Sequence, residues 1–93
     1  MKYTKIRLFT ANGIPEALSN LWYGNNCTVT KITDAVEDAV DGADLLQRLR
    51  GMKLSGRFRL DRENESKVRF EIKDCWGNIS YLEVCKRAEH SPA

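Results

Sequence analysis

The sequence contains almost no histidine, and this excludes most of the catalytic arrangements that small enzymes use. The one histidine of the 93 residues, His90, lies near the C-terminus in a segment with no sign of ordered structure. Without an internal histidine, Cys27, Cys75 and Cys85 have no partner base of the Cys–His type. The cysteines also lack the C-x₂₋₄-C spacing that zinc sites use. We therefore predict no catalytic residue, no cofactor and no metal site.

Phosphate-binding loops and membrane segments are missing as well. The six glycines never form G-x-G-x-x-G or G-x-x-x-x-G-K-[ST]. No apolar run approaches the ~18 residues of a membrane span, and no apolar core of a secretory signal follows the basic residues near the N-terminus. An odd number of cysteines argues against a disulfide scaffold. The sequence therefore predicts a cytoplasmic protein with reduced thiols and no membrane contact.

What remains is the composition of one small globular domain. Hydrophobic residues make up 42% of the chain and charged residues 30%, which is too apolar for a disordered chain. The formal net charge of +2 is too small to indicate nucleic-acid binding by itself. We predict a single domain over residues 1–87 and a disordered tail over residues 88–93.

The first half of the chain indicates strands and helices in alternation. Residues 2–10 read as a strand, and Pro15 suits the first turn of a short helix. Residues 27–32 are rich in β-branched side chains and read as a second strand. A longer helix then begins at Asp34, with Glu37 completing a capping box, and continues to Gly51 with a kink or break at Gly42.

The last third shows the clearest pattern. Apolar and charged residues alternate through residues 52–60 and 67–73, and residues 79–86 form a third strand. The order is therefore β-α-β-α-β-β-β. It predicts a two-layer α+β fold in which two helices pack on one face of an antiparallel sheet.

The turns set the predicted pairing of these strands. Asp74–Asn78 has the form of a type I turn that ends with a left-handed residue at Gly77. This turn pairs Phe70 with Leu82 and Arg69 with Glu83. A loop centred on Asn64 would form the other hairpin, and it pairs Phe58 with Phe70, Leu60 with Val68 and Arg57 with Glu71.

This register gives the sheet a buried and an exposed face. Phe58 and Phe70 are predicted to point into the core. Trp22 continues the apolar face of the first predicted helix and is also predicted to be a core residue. The outward positions are mostly basic, and Trp76 lies at the crown of a hairpin, where a large aromatic residue is typical of a binding surface. The candidate partner-binding residues are Trp76, Arg57, Arg59, Lys67, Arg69, Lys73 and Tyr81.

These features favour a small non-enzymatic protein-binding module, a regulator or inhibitor of a larger macromolecular machine. Proteins of bacteriophages and other mobile elements are one source of such modules. The first alternative is a nucleic-acid-binding accessory protein that uses the basic face of the sheet. A second is a small hydrolase that works with carboxylates alone. An unpaired edge strand would also allow a homodimer.

Overall fold

The computed structural model describes residues 1–18, 28–52, 54 and 56–87 of the chain. Its elements, in chain order, are β1 (Tyr3–Thr10), β2 (Pro15–Glu16), α1 (Thr28–Asp38), α2 (Gly42–Arg50), β3 (Arg57–Glu63), β4 (Lys67–Lys73) and β5 (Ile79–Lys86). The strands form one sheet in the order β2-β1-β5-β4-β3, and all neighbours are antiparallel. This confirms the predicted fold class of an antiparallel sheet covered by two helices. The predicted tail over residues 88–93 lies outside the described residues.

The hydrophobic core lies between the sheet and the two helices. Alternate residues of β1, β3, β4 and β5 point toward the helices because successive strand side chains project to opposite faces. The buried apolar residues are Leu8, Phe58, Val68, Phe70, Ile72, Leu82 and Val84 from the sheet, and Ile32, Val36, Ala39, Leu45 and Leu49 from the helical region. The prediction that Phe58 and Phe70 point inward is therefore confirmed.

The hairpin between β4 and β5 has the predicted register. Phe70 pairs with Leu82 and Arg69 pairs with Glu83. The Asp74 N–H donates to the Asn78 carbonyl at 3.0 Å, and Gly77 has a φ of +86°. Glycine adopts this left-handed conformation without the Cβ clash that other residues meet, so the turn pins the register of the two strands.

The predicted register of the hairpin between β3 and β4 is wrong by two residues. Phe58 pairs with Ile72 and Leu60 with Phe70, and a bulge follows Leu60. Asn64 opens the turn and does not lie at its centre, because its Oδ1 accepts from the Ser66 N–H at 2.8 Å and the Lys67 N–H at 2.9 Å. A two-residue shift leaves each side chain on the same face of the sheet. The β3 residues up to Leu60 that were predicted to point inward therefore still do so.

The predicted strand over residues 27–32 is also wrong. Cys27 lies outside the described residues, and residues 28–32 form the first part of α1. Ile32 and Val36 lie four residues apart, and both are fully buried against the sheet. Packing of this helical stripe outweighs the β-propensity of the threonines and valine in the segment, because propensity is a weak preference beside burial.

The predicted helix from Pro15 does not begin there. Pro15 and Glu16 form β2, which pairs with Phe9 and Leu8. The Gly13 N–H donates to the Thr10 carbonyl at 2.8 Å, and Gly13 has a φ of +83°. Asn12-Gly13 therefore forms a hairpin turn that returns the chain along β1. The rest of the predicted helix, including Trp22, lies outside the described residues.

The long predicted helix is divided into α1 and α2, with a break between Asp38 and Gly42. The capping box predicted at Asp34 is wrong, because Asp34 lies inside α1. Asp41 is the actual N-cap, and its side chain accepts from the Asp44 N–H at 2.8 Å. Asp44 in turn accepts from the Val40 N–H at 3.0 Å, and this bond, with the Arg48 guanidinium, lowers the pKa of Asp44.

The break changes which side chains the helices bury. Val40, an apolar residue of the long predicted helix, is 84% exposed, whereas Leu45 and Leu49 of α2 are buried. Gly42 is buried at the start of α2, where its N–H donates to Glu63 Oε2 at 3.0 Å. The first turn of α2 therefore lies directly against the end of β3.

We expect Gly42→Ala to destabilise the protein, although alanine is the better helix former. A Cβ at this position would lie 3.1 Å from Cγ1 of the fully buried Val68 and 2.7 Å from Glu63 Oε1, so it would displace the carboxylate that accepts from the Gly42 N–H. Such crowding costs about 1–2 kcal/mol in the free energy of unfolding, which urea denaturation measures. Gly51→Ala is the matched control, since Gly51 has a φ of −75° and its Cβ would meet nothing closer than 3.5 Å. Equal stability losses in the two variants would contradict this packing.

Candidate protein-binding face

The outer face of the sheet, the side opposite α1 and α2, carries all the predicted sheet residues of the binding surface. Its residues alternate along the strands with the buried ones, so they point away from the core. No described element packs against its centre. The predicted residues on this face are Arg57, Arg59, Lys67, Arg69, Lys73 and Tyr81, and the seventh, Trp76, lies in the turn between β4 and β5.

Charge is divided unequally between the two layers. The outer face carries eight basic residues, Lys5, Arg7, Arg57, Arg59, Arg62, Lys67, Arg69 and Lys73, and three acidic ones, Asp61, Glu71 and Glu83. The helical segment 28–50 has the opposite balance, with Asp34, Glu37, Asp38, Asp41 and Asp44 against Lys31, Arg48 and Arg50. The positive excess of the described chain therefore lies on the sheet.

A buried carboxylate lies at the centre of the outer face. Glu83, on the middle strand β5, is only 4% exposed. Its oxygens lie 3.6 Å from Lys67 Nζ, 3.8 Å from Arg7 Nη1 and 4.0 Å from Arg69 Nε. Three cations from β1 and β4 thus surround one anion, and the group as a whole is positive. We call Arg7, Lys67, Arg69 and Glu83 the central cluster.

Two aromatic rings lie beside the central cluster. Phe9 and Tyr81 face each other across β1 and β5, with 5.8 Å between their ring centroids. The guanidinium of Arg69 lies 4.8 Å from the Tyr81 centroid and 5.5 Å from that of Phe9, and Arg7 lies 5.8 Å from Phe9. These cation–π contacts hold both arginines over the rings. Phe9 was not among the predicted binding residues, although it alternates with the buried Leu8 and so points outward like Lys5 and Arg7.

The other two carboxylates of the face are also paired. Glu71 Oε2 accepts from Arg59 Nη2 at 3.0 Å, and Asp61 Oδ2 lies 4.0 Å from Arg69 Nη1. The predicted contact between Arg57 and Glu71 is replaced by the one with Arg59, because the β3 register differs by two residues. Arg57 and Lys73 face each other at the end of the sheet that carries Trp76.

Two exposed apolar side chains lie at this same end of the sheet. Trp76 is 83% exposed in the turn between β4 and β5, and Ile14 is 59% exposed in the turn between β1 and β2. The Ala11 N–H donates to the Ile79 carbonyl at 3.1 Å and joins the strand ends that carry these turns. We call Ile14 and Trp76 the apolar end. Large exposed apolar residues on tight turns are typical of interaction sites.

Hydrogen bonds to one carboxylate hold the turn of Trp76. Asp74 Oδ1 accepts from the Trp76 N–H at 2.9 Å and the Asn78 N–H at 2.8 Å, and Asp74 Oδ2 accepts from Asn78 Nδ2 at 3.1 Å. Desolvation raises the pKa of Asp74, but the hydrogen bonds from Asn78, Trp76 and Gly77 together outweigh it and lower the pKa. The backbone that presents Trp76 is therefore ordered before any partner binds.

The edge strand β3 is partly covered at its start. Arg50, at the end of α2, donates from Nε at 3.3 Å and from Nη2 at 3.1 Å to the Phe58 carbonyl. A charged side chain bound to an edge-strand carbonyl hinders pairing with another strand. The bulge after Leu60 also bends this edge away from a regular ladder. The homodimer that the sequence allows through an unpaired edge strand would therefore meet two obstacles if β3 were that strand.

Candidate metal ligands, a cavity and the cysteines are further features of the described residues that bear on the sequence predictions. No group of three or more histidine, cysteine, aspartate or glutamate side chains lies close enough there to hold a metal ion. A cavity of about 320 Å³ lies between the end of α2 and β3, and its lining, which includes Leu49, Met52, Leu54 and Phe58, contains no carboxylate. Cys75, in the turn between β4 and β5, and Cys85, near the end of β5, are free thiols.

The chain matches no protein-family model, no curated protein and no solved structure. Within the described residues, neither helix has the length and hydropathy that crossing a membrane requires. The chemistry of the outer face, the central cluster and the apolar end is therefore the basis for the function proposed below.

We expect the Trp76 turn to keep its structure from neutral pH down to pH values below the ordinary pKa of an aspartate. A lowered pKa in the folded state stabilises the turn above the unfolded-state pKa, and this stabilisation is lost as pH falls through the folded-state pKa. The amide NMR signals of Trp76 and Asn78 should therefore shift together only in that acidic range. Asp74→Asn keeps an acceptor oxygen but removes the titration, so the same acid shift in this variant would contradict the assignment.

Proposed function

We propose that this chain is a small non-enzymatic binding module that attaches to an acidic protein surface and regulates or inhibits the larger assembly to which that protein belongs. One observation carries the proposal: the positive excess lies on an exposed sheet face, and the exposed Trp76 and Ile14 lie at the end of the same sheet. Arginine and aromatic residues are enriched in the cores of protein interfaces, whereas lysine and glutamate are depleted.

The shape of the surface fits a protein partner. A stable interface buries about 800 Å² on each side, and the four long strands β1, β5, β4 and β3 present a continuous face on which such a contact can form. Trp76 offers a large apolar side chain on an ordered turn, so its burial would cost little conformational entropy of the backbone. The basic residues around it would favour approach of an acidic surface and speed association.

The carboxylates support a binding function over hydrolysis. Glu71 and Glu83 are the acidic residues of β4 and β5 on the outer face, and each lies beside cations. A hydrolase that relies on carboxylates alone needs two of them to converge in a cleft. In the described residues, Glu71 and the buried Glu83 each contact arginine or lysine on the outer face of the sheet.

We expect Trp76→Ala and Arg57→Glu each to weaken partner binding about 10- to 100-fold without unfolding the domain. The partner would be isolated by affinity purification from the native host, and binding to the purified partner measured by biolayer interferometry. Val40→Ser is the matched control, because Val40 is as exposed as Trp76 but lies in the loop between α1 and α2. Undiminished binding by both test variants would remove this surface assignment.

Nucleic-acid binding is the second candidate, and the Phe9–Tyr81 pair is the observation that favours it. Aromatic side chains on a basic sheet are a common platform for single-stranded bases. If this candidate is right, a labelled thymidine oligonucleotide should bind at low salt, and its affinity should fall steeply as salt rises. No binding of single- or double-stranded probes at low salt would dismiss it.

A further inference from the structure

The central cluster leaves its cationic donors available to a ligand. The distances from Glu83 to Arg7, Lys67 and Arg69 are 3.6–4.0 Å, beyond the 3.5 Å limit of a hydrogen bond between nitrogen and oxygen. Among the described residues, these three side chains donate no hydrogen bond to any acceptor, and the buried Nε of Arg69 has no hydrogen-bond acceptor within reach. Glu83 therefore attracts the three cations without occupying their N–H groups.

The cluster also holds its arginines in place. Arg69 lies over both Tyr81 and Phe9, and Arg7 lies over Phe9. A guanidinium that stacks on a ring keeps its N–H groups at its edges, where they can meet the two oxygens of a carboxylate. The side chain of Arg7 is 53% exposed and that of Lys67 is 41% exposed, so an anion can reach the cluster from solvent.

We infer that the central cluster is a receptor site for a carboxylate of the partner, an aspartate or glutamate in an acidic protein segment. This inference rests on the proposed function and names the chemistry of the contact. Three cations against Glu83 and Asp61 leave a net charge of +1, which an incoming carboxylate neutralises. The apolar end, which carries Ile14 and Trp76, would then contact apolar side chains next to the acidic segment.

Two observations favour a protein carboxylate over nucleic acid at this site. The faces of Phe9 and Tyr81 are occupied by guanidinium groups, so they are not free platforms on which bases stack. Glu83 and Asp61 also lie on the face among the basic residues, and a phosphate chain of uniform negative charge would pass beside them. A protein surface, in contrast, can place a single carboxylate beside the cations without placing others beside Glu83 and Asp61.

The test uses a peptide of ten glutamates as the probe and a ten-nucleotide thymidine strand as the competing probe of similar charge. Binding to the whole chain is followed by NMR, including the side-chain Nε–H signal of Arg69. We expect the peptide to shift this signal saturably and the thymidine strand to bind more weakly. Arg69→Gln should weaken peptide binding about tenfold.

A control variant separates the site from the general charge of the protein. Lys31→Gln removes the same charge from the exposed surface of α1, in the layer opposite the outer face, and should weaken binding less than about twofold. Arg69 is partly buried, so Arg7→Gln, at a more exposed position, provides a second test of the cluster if Arg69→Gln does not fold.

Two results would overturn the inference. Equal weakening by Lys31→Gln and the cluster variants would mean that only overall charge matters. Tighter binding of the thymidine strand, with the largest shifts at the Phe9 and Tyr81 rings, would assign the face to nucleic acid. If the peptide fails to bind while Trp76→Ala still abolishes capture of the purified partner, the carboxylate site is wrong and the proposed function stands.

Discussion

The ladder that joins β1, β5 and β4 is the constraint on which the rest of the structure depends. Phe70, Leu82 and Leu8 lie in register on three neighbouring strands, and all three are buried beneath the helices. Because side chains alternate along a strand, burying this row forces the next residues of each strand outward. Arg7, Glu83 and Arg69 form one of these outward rows. The core thus positions the central cluster directly.

Glu83 connects the stability of the sheet with the chemistry of its outer face. A buried carboxylate is costly unless cations or hydrogen bonds compensate for lost hydration. Arg7 and Arg69 come from the two strands that flank β5, so the same ladder that buries Glu83 also brings its compensating charges. The proposed binding site is therefore a consequence of how this sheet accommodates one acidic residue on its middle strand.

The helical layer shows where local sequence signals were misleading. The threonines and valine near the start of α1 favour a strand, yet Ile32 and Val36 are buried at helical spacing. Asp34 resembles an N-cap, but the capping role belongs to Asp41. In both cases, the deciding energy comes from contacts with the sheet, which are absent from any short window of sequence. The same packing separates α1 from α2 and leaves Val40 exposed.

The sequence by itself determined the class of the fold, the hairpin at Asp74–Asn78 and the outward direction of Arg57, Arg59 and Arg69, because period-two alternation and a left-handed glycine are local signals. It could not determine that Phe9 lies beside Tyr81 or that Arg7 approaches Glu83. Those pairs join residues more than seventy positions apart, and only the pairing of β1 with β5 brings them together. The tertiary structure therefore decided the composition of the candidate site, since it depends on which strands become neighbours.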